Sequence, residues 1–404
     1  MLTVCLFVLA GAANAWASTW AVQSTKNPSP TFNTLNDVTV AGTDAWAVGD
    51  DTNSSGLYRT LVEHYNGTKW ATQKSPDPST SDDFLYGVKA ASTNDVWAVG
   101  TFGPSPNSTS TLVLHYDGTS WTRQTSPSPN SLANYLLGVS TTSSTNTFAV
   151  GYRGNLGAPM AMRADAQRPS PLRVSGPPEA TPSSATVSTL IEHYDGTSWK
   201  VQSSPNPSGY ENYLFGSSTF STTNSWAAGF SRAAPGEGGS TLVEYYNGTK
   251  WTKQSTPNPG GTNGDALEAV SANSPSDVWA VGDYFTCPAS TCEQGLILHN
   301  DGTGWTVAHV VTQGVYNGLI DVKATSSSDV WAVGHYFTSA GIERTLILHY
   351  DGSTWSIEKS PNKGGFANSL FGVAASSGTN AFAVGAYLTS SSQTPQKTLA
   401  MHCC

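Results

Sequence analysis

Asp95-Val-Trp-Ala-Val-Gly100, followed by Thr111-Leu-Val-Leu-His-Tyr-Asp-Gly-Thr-Ser-Trp121, is the stretch that decides the fold, because both phrases return along almost the whole chain. The tetrapeptide stands at Trp46-Ala-Val-Gly49, Trp97 to Gly100, Phe148 to Gly151, Trp226 to Gly229, Trp279 to Gly282, Trp331 to Gly334 and Phe382 to Gly385. The spacings between first residues are 51, 51, 78, 53, 52 and 51. Self-similarity at a fixed period is the signature of a repeat architecture, so the chain reads as seven units, the third lengthened by an insertion at 153–185.

Each unit spells four strands. The first carries L-x-G-V or a relative, beginning at Leu35, Leu85, Leu136, Leu214, Leu267, Leu319 and Leu370; the second is the tetrapeptide. The third is of the T-L-I-L-H-Y type, with the apolar/polar alternation of a half-buried strand. It runs into Asn66-Gly67, Asp117-Gly118, Asp195-Gly196, Asn247-Gly248, Asp301-Gly302 or Asp351-Gly352, which predicts two-residue type I′ hairpins. The fourth begins at Trp70, Trp121, Trp199, Trp251, Trp305 or Trp355 and in most units ends in a Ser-Pro-x-Pro variant, since proline cannot continue a ladder.

Six fourth strands serve seven units. The seventh is supplied from the other end of the sequence, where Ser18-Thr-Trp20-Ala-Val-Gln-Ser-Thr25 matches the T-S-W-T-R-Q-T-S pattern. The expected fold is therefore all-β: a seven-bladed β-propeller of four-stranded antiparallel blades, its ring closed by the N-terminal strand joining the last blade. Domain organisation follows as a signal-peptide-like segment over 1–17 and one propeller domain over 18–404.

Composition agrees. Among 404 residues only 12% are Asp, Glu, Lys or Arg, which argues against a helical bundle, and 13 Trp, 16 Tyr and 13 Phe are too many for a chain that buries no core. A net charge of −9 leaves no electrostatic footprint for nucleic acid or anionic lipid. No later apolar run is long enough for a membrane span, so no membrane insertion is expected. The apolar opening MLTVCLFVLAGAANAWA points to a secreted or cell-surface protein, and export permits a disulfide between Cys287 and Cys292.

The D-V-W-A-V-G and H-Y-D-G-T-x-W units resemble secreted bacterial repeat proteins of the WD40/YVTN/BNR-like and Kelch-like propeller group, over about 385 residues. D-G-x-x-W is also similar to the Asp-box hairpin of sialidase-type propellers, with Asp and Gly adjacent here. The resemblance implies the propeller fold; propellers host lectins, scaffolds, hydrolases and lyases alike.

Function has to be sought in what departs from the repeat. His64, His115, His193, His299, His349 and His402 share one position, so they are expected to bond within their own units, to Asp44, Asp95, Asn146, Asp277, Asp329 and Asn380. The departures are few. Asp283-Tyr284 and His335-Tyr336 follow the tetrapeptide glycine in neighbouring units, and Tyr135 and Tyr213 stand in inter-unit loops; acid, imidazole and rings suit a sugar. Asp37 and Asp321 replace glycine in the first strand, where they are expected to line a central channel. These eight residues are the candidate ligand-binding set. No catalytic set, metal site or cofactor motif is predicted. The favoured reading is an extracellular binding module for a neutral glycan or a protein partner. The alternatives are a polysaccharide-degrading hydrolase or lyase, with Asp283, His335, Asp37 or Asp321 as acid and base, and a surface structural or adhesion protein.

Overall fold

The computed structural model describes residues 19–129, 132–155, 186–287, 292–391 and 395–403. The 1–17 segment, most of the 153–185 insertion and Cys404 lie outside the described residues. Among the described residues twenty-eight strands form the sheets and there is no α-helix; a 3-10 turn stands at Gly261–Asn263. Five sheets have four strands; the third and fourth units are joined into an eight-stranded sheet by one parallel bridge, Val187 to Glu211.

The innermost strands are Asn33–Ala41, Asp82–Ser92, Ala133–Ser143, Glu211–Ser221, Asp265–Ser274, Tyr316–Ser326 and Ala367–Ser377. Each meets its tetrapeptide strand with a register break after the Leu of L-x-G-V, as between Leu35 and Asp37 or Leu319 and Asp321. This β-bulge explains the invariant glycine of the tetrapeptide. A Cβ at Gly49, Gly100, Gly151 or Gly385 would collide with the carbonyl oxygen of Thr34, Phe84, Tyr135 or Ser369 on the bulged strand.

The core lies between units rather than within them, because each sheet is only one layer thick. One cluster joins Trp46 and Val62 of the first unit to Leu85 and Trp121 of the second, another joins Trp97 to Leu136 and Trp199, and another joins Leu35 and Trp70 to Phe382 of the last unit. The tryptophans follow this geometry. An outer-strand ring meets the tetrapeptide ring of the preceding unit edge-on, as in Trp97–Trp199 at 5.4 Å, Trp279–Trp355 at 5.4 Å and Trp226–Trp305 at 5.7 Å. Trp121 and Trp251 donate their indole N–H to Gln73 and Gln202. The buried indoles of Trp70, Trp97 and Trp199 have no such partner, so packing rather than hydrogen bonding selects these rings.

The wall histidines bond as expected. His115 Nε2 lies 2.7 Å from Asp95, His349 2.7 Å from Asp329 and His193 2.9 Å from Asn146, and each imidazole stacks on its tetrapeptide aromatic, for example 4.2 Å from Trp97. Tyr245 fills the same role, its hydroxyl donating to Asn224 at 2.8 Å.

The Asp-Gly turns differ from the two-residue hairpin. Four residues separate the strands, as in Tyr116 and Trp121, and the Asp117 carboxylate accepts both the Thr119 and the Ser120 N–H at 2.9 Å. These bonds, with that from the Thr119 hydroxyl, hold the Asp117 carboxyl down to about 2. Gly118 is needed at the next position, where φ is 92°.

A second device was not read from the sequence. The threonine opening the third strand latches the proline segment after its own outer strand: Thr60 meets Ser75 Oγ at 2.7 Å and Asp77, and Thr189 meets Ser204 Oγ at 2.6 Å and Asn206. Thr398 makes the same bonds to the N-terminal segment, with Thr25 Oγ1 at 2.7 Å, the Lys26 carbonyl at 3.0 Å and Asn27 at 2.9 Å. Trp20–Gln23 pairs antiparallel with Gln396–Cys403 from Trp20 opposite Cys403 to Gln23 opposite Ala400.

Candidate functional site: the central channel

The bulge pushes one side chain of every inner strand toward the axis. These are Asn36, Tyr86, Leu137, Phe215, Glu268, Ile320 and Phe371, and together they line an upper cavity of about 120 Å³. Five are apolar or aromatic, so the collar is greasy with an amide and a carboxyl set into it. Below it runs the layer of Asp37, Gly138, Gly216 and Asp321, where the strands come closest: a Cβ at Gly138 would stand 2.7 Å from the Phe215 carbonyl oxygen. A lower cavity of about 150 Å³ continues past this neck among Lys89, Ser140, Ser218, Ser271 and Lys323.

Asp37 and Asp321 are brought together, and each ties two units. Asp37 accepts the Val38 N–H at 2.7 Å and the Val88 N–H of the next unit at 2.8 Å; Asp321 accepts Val322 at 2.8 Å and Val373 at 2.7 Å. Burial pushes both carboxyls up, and repulsion from Asp321 adds to the shift of Asp37. At neutral pH the pair therefore retains part of its proton load, which suits a site that exchanges hydrogen bonds with a polar ligand.

Two residues that sequence reasoning passed over complete the channel. Lys89 and Lys323 stand one layer below the carboxylates, and burial followed by Lys89's charge brings the Lys323 amine down to about 7. Asp50 lies behind the collar, where Asn36 donates to it at 3.1 Å while also donating to the Leu85 carbonyl at 2.8 Å; burial pushes Asp50 up to about 8. The available signal was departure from the repeat, applied to the position two residues after the first-strand glycine.

The remaining expected site residues lie elsewhere. Asp283, Tyr284 and His335 are buried in their own sheets, and only Tyr336 is half-buried. The Tyr284 hydroxyl donates to Gln294 at 2.8 Å. Tyr135 and Tyr213 flank Tyr152 at 4.8 Å each, within an aromatic seam that continues to Phe230 at 5.0 Å. Cys287 and Cys292 are joined in a disulfide. No group of three His, Cys, Asp or Glu side chains placed to hold a metal occurs among the described residues.

No family model matches the chain, and no curated protein matches it. Solved structures do. YCF48 bound to a D1 peptide aligns with a TM-score of 0.53 at 12% identity, covering 96% of both chains. A PL25 ulvan lyase bound to -[GlcA(1-4)Rha3S]- aligns at 0.52 and 9% identity, covering 92% of this chain and 94% of that one. At these identities the likeness establishes the fold, a β-propeller.

Proposed function

We propose that this protein is a binding module that takes a neutral glycan or a protein partner at the collar of its channel. The observation that carries the reading is convergence: the side chains that break the repeat on the inner strands meet on one axis, while histidines and turn carboxylates that obey it are spent inside their own units. A collar of Tyr86, Phe215 and Phe371 over hydrogen-bonding Asn36, Glu268, Asp37 and Asp321 matches the face and edge of a sugar ring, or an apolar side chain with a polar tip. Of the other candidates, Tyr336 is half-buried, while Asp283, Tyr284, His335, Tyr135 and Tyr213 are buried and would serve this site only as support behind it.

The scaffold belonging to this reading is a single domain over 18–404 with seven blades, closed by the N-terminal strand and exported behind the 1–17 leader. Support for closure comes from the Thr398 latch, the Trp20–Trp331 contact at 5.4 Å and the Phe382–Trp70 contact at 5.9 Å, which repeat the relation of Trp97 to Trp199, Phe148 to Trp251, Trp226 to Trp305 and Trp279 to Trp355. A glycan array and an extracellular-protein pull-down, run with wild type, Tyr86→Ala and Phe215→Ala, test the function. Capture that both variants lose supports it; capture indifferent to both, or blank arrays and pull-downs, contradicts it.

One observation favours a second reading. Paired carboxyls with raised affinity for protons are the equipment of acid–base cleavage of polysaccharides. Turnover of any polysaccharide, abolished by Asp37→Asn or Asp321→Asn, would make this an enzyme.

A further inference from the structure

Beneath the neck the channel changes character. The residue that follows the Val of L-x-G-V is Thr39, Ser140, Ser218, Ser271 or Ala374 in five units, and lysine in the other two, Lys89 and Lys323. Where it carries a hydroxyl, that group commonly accepts a main-chain N–H of the next inner strand: Thr39 from Ala90 at 3.1 Å, Ser218 from Ala272 at 2.9 Å, Ser271 from Ala324 at 3.0 Å. A lysine has no acceptor to offer.

Lys89 and Lys323 thus line one polar chamber of about 150 Å³, together with Asp37, Asp321, Ser218, Ser271 and Ser140, whose hydroxyl lies 2.7 Å from that of Thr219. The Ser217 hydroxyl is itself buried without a partner. Neither lysine makes an ion pair within 4 Å among the described residues, although Asp37 and Asp321 stand one layer above. Those carboxylates are already engaged by two amides each. The chamber sets two ammonium groups beside two carboxyl groups, where the collar is mostly apolar.

We propose that the lower chamber is a binding site for a small tetrahedral oxyanion, phosphate or sulfate, held between Lys89 and Lys323. The anion relieves the repulsion between the two lysines. It is separate from the collar ligand and enters the same channel from the opposite chemistry. The charged groups facing it are Lys89, Lys323, Asp37 and Asp321; as the pH falls the Lys323 amine charges and the two aspartates discharge, and each change favours the anion.

The test is calorimetric titration of the full chain with sodium phosphate and with sodium sulfate, against sodium chloride at matched ionic strength. The expected result is saturable binding of phosphate or sulfate, tighter at pH 6 than at pH 8, and weakened about tenfold or more by Lys323→Gln and by Lys89→Gln. Lys69→Gln, on an exposed turn, leaves the affinity unchanged. A selenate soak of wild-type crystals reads the same site without any variant, as an anomalous peak between Lys89 and Lys323. Equal heats from phosphate, sulfate and chloride, an affinity indifferent to both channel substitutions, or a selenate peak elsewhere would overturn the proposal. Binding of a sulfated or phosphorylated glycan but of neither free ion would do the same, since the source would then be the collar ligand.

Discussion

The walls of this molecule and its channel use the same side-chain types to different ends. In the walls, imidazole and carboxylate meet at 2.7 Å in His115–Asp95 and again in His349–Asp329, each pair closed on itself and stacked on a tryptophan. In the channel, Asp321 adds to the upward shift of Asp37, and Lys89 to the downward shift of Lys323, without an ion pair forming among the four. A residue repeated at one place in every unit is dispersed around the sheets and can only be structural. A residue that occurs once or twice on the inner strands is delivered to the axis. The walls should therefore respond to substitution in stability, and the channel in binding.

The largest effect expected is in the walls. Deleting residues 18–26 removes Trp20 from its packing on Trp331 and leaves Thr398 without its latch, which by area costs on the order of several kcal/mol. Chemical denaturation of the truncated chain measures it, and an unchanged midpoint would break the closed-ring account.

Next comes a contrast within the walls. Glu63, Glu192 and Glu244 occupy the same third-strand position, where other units carry Leu114, Leu298, Leu348 or Met401. Glu63 accepts the Lys26 N–H at 3.0 and 3.2 Å. The residues corresponding to Lys26 beside Glu192 and Glu244 are Pro127 and Pro205, which have no N–H, and both carboxyls are buried without a partner. Burial pushes each up to about 9. Between pH 4.5 and 9 the unfolded chain ionises these groups and the folded chain does not, so stability falls as pH rises, by up to about 1.4 kcal/mol per pH unit for each. Glu192→Leu and Glu244→Leu should raise the melting temperature at pH 8 and flatten its decline with pH. Melting curves from pH 5 to 9 check this, and a steeper decline in the variants would refute it.

Smaller effects mark the seam between the two regions. Gly138→Ala places a methyl against the Phe215 carbonyl at the neck and should cost about 1–3 kcal/mol. His115→Ala loses one stacked ring and one hydrogen bond, about 1–2 kcal/mol. Denaturant midpoints measure both.

How much of this was legible in the sequence follows from what repeats. The strands were readable because each returns in every unit, and the wall histidines because six units carry one and Tyr245 stands in for it in the other. Asp37 and Asp321 were readable as exceptions to glycine. The hairpin type was misread, since Asp-Gly fits both a two-residue turn and the four-residue loop that the Asp117 carboxylate caps. The collar was missed because Tyr86, Phe215 and Phe371 look like ordinary strand hydrophobes; it takes the bulge, a register event with no composition of its own, to turn them toward the axis. The burial of Asp283 and His335 was invisible for the complementary reason, since loop variability does not reveal which side chains the sheet edge covers.

The division between walls and channel is tested most directly by comparing two double variants in one thermal-melt experiment at pH 7. Asp95→Asn with His115→Gln alters a wall pair, and Lys89→Gln with Lys323→Gln alters the channel. The account predicts a clear loss of melting temperature for the first and an unchanged or raised one for the second, because the channel charges are held against their own repulsion. A channel variant that unfolds while the wall variant melts like wild type would contradict it.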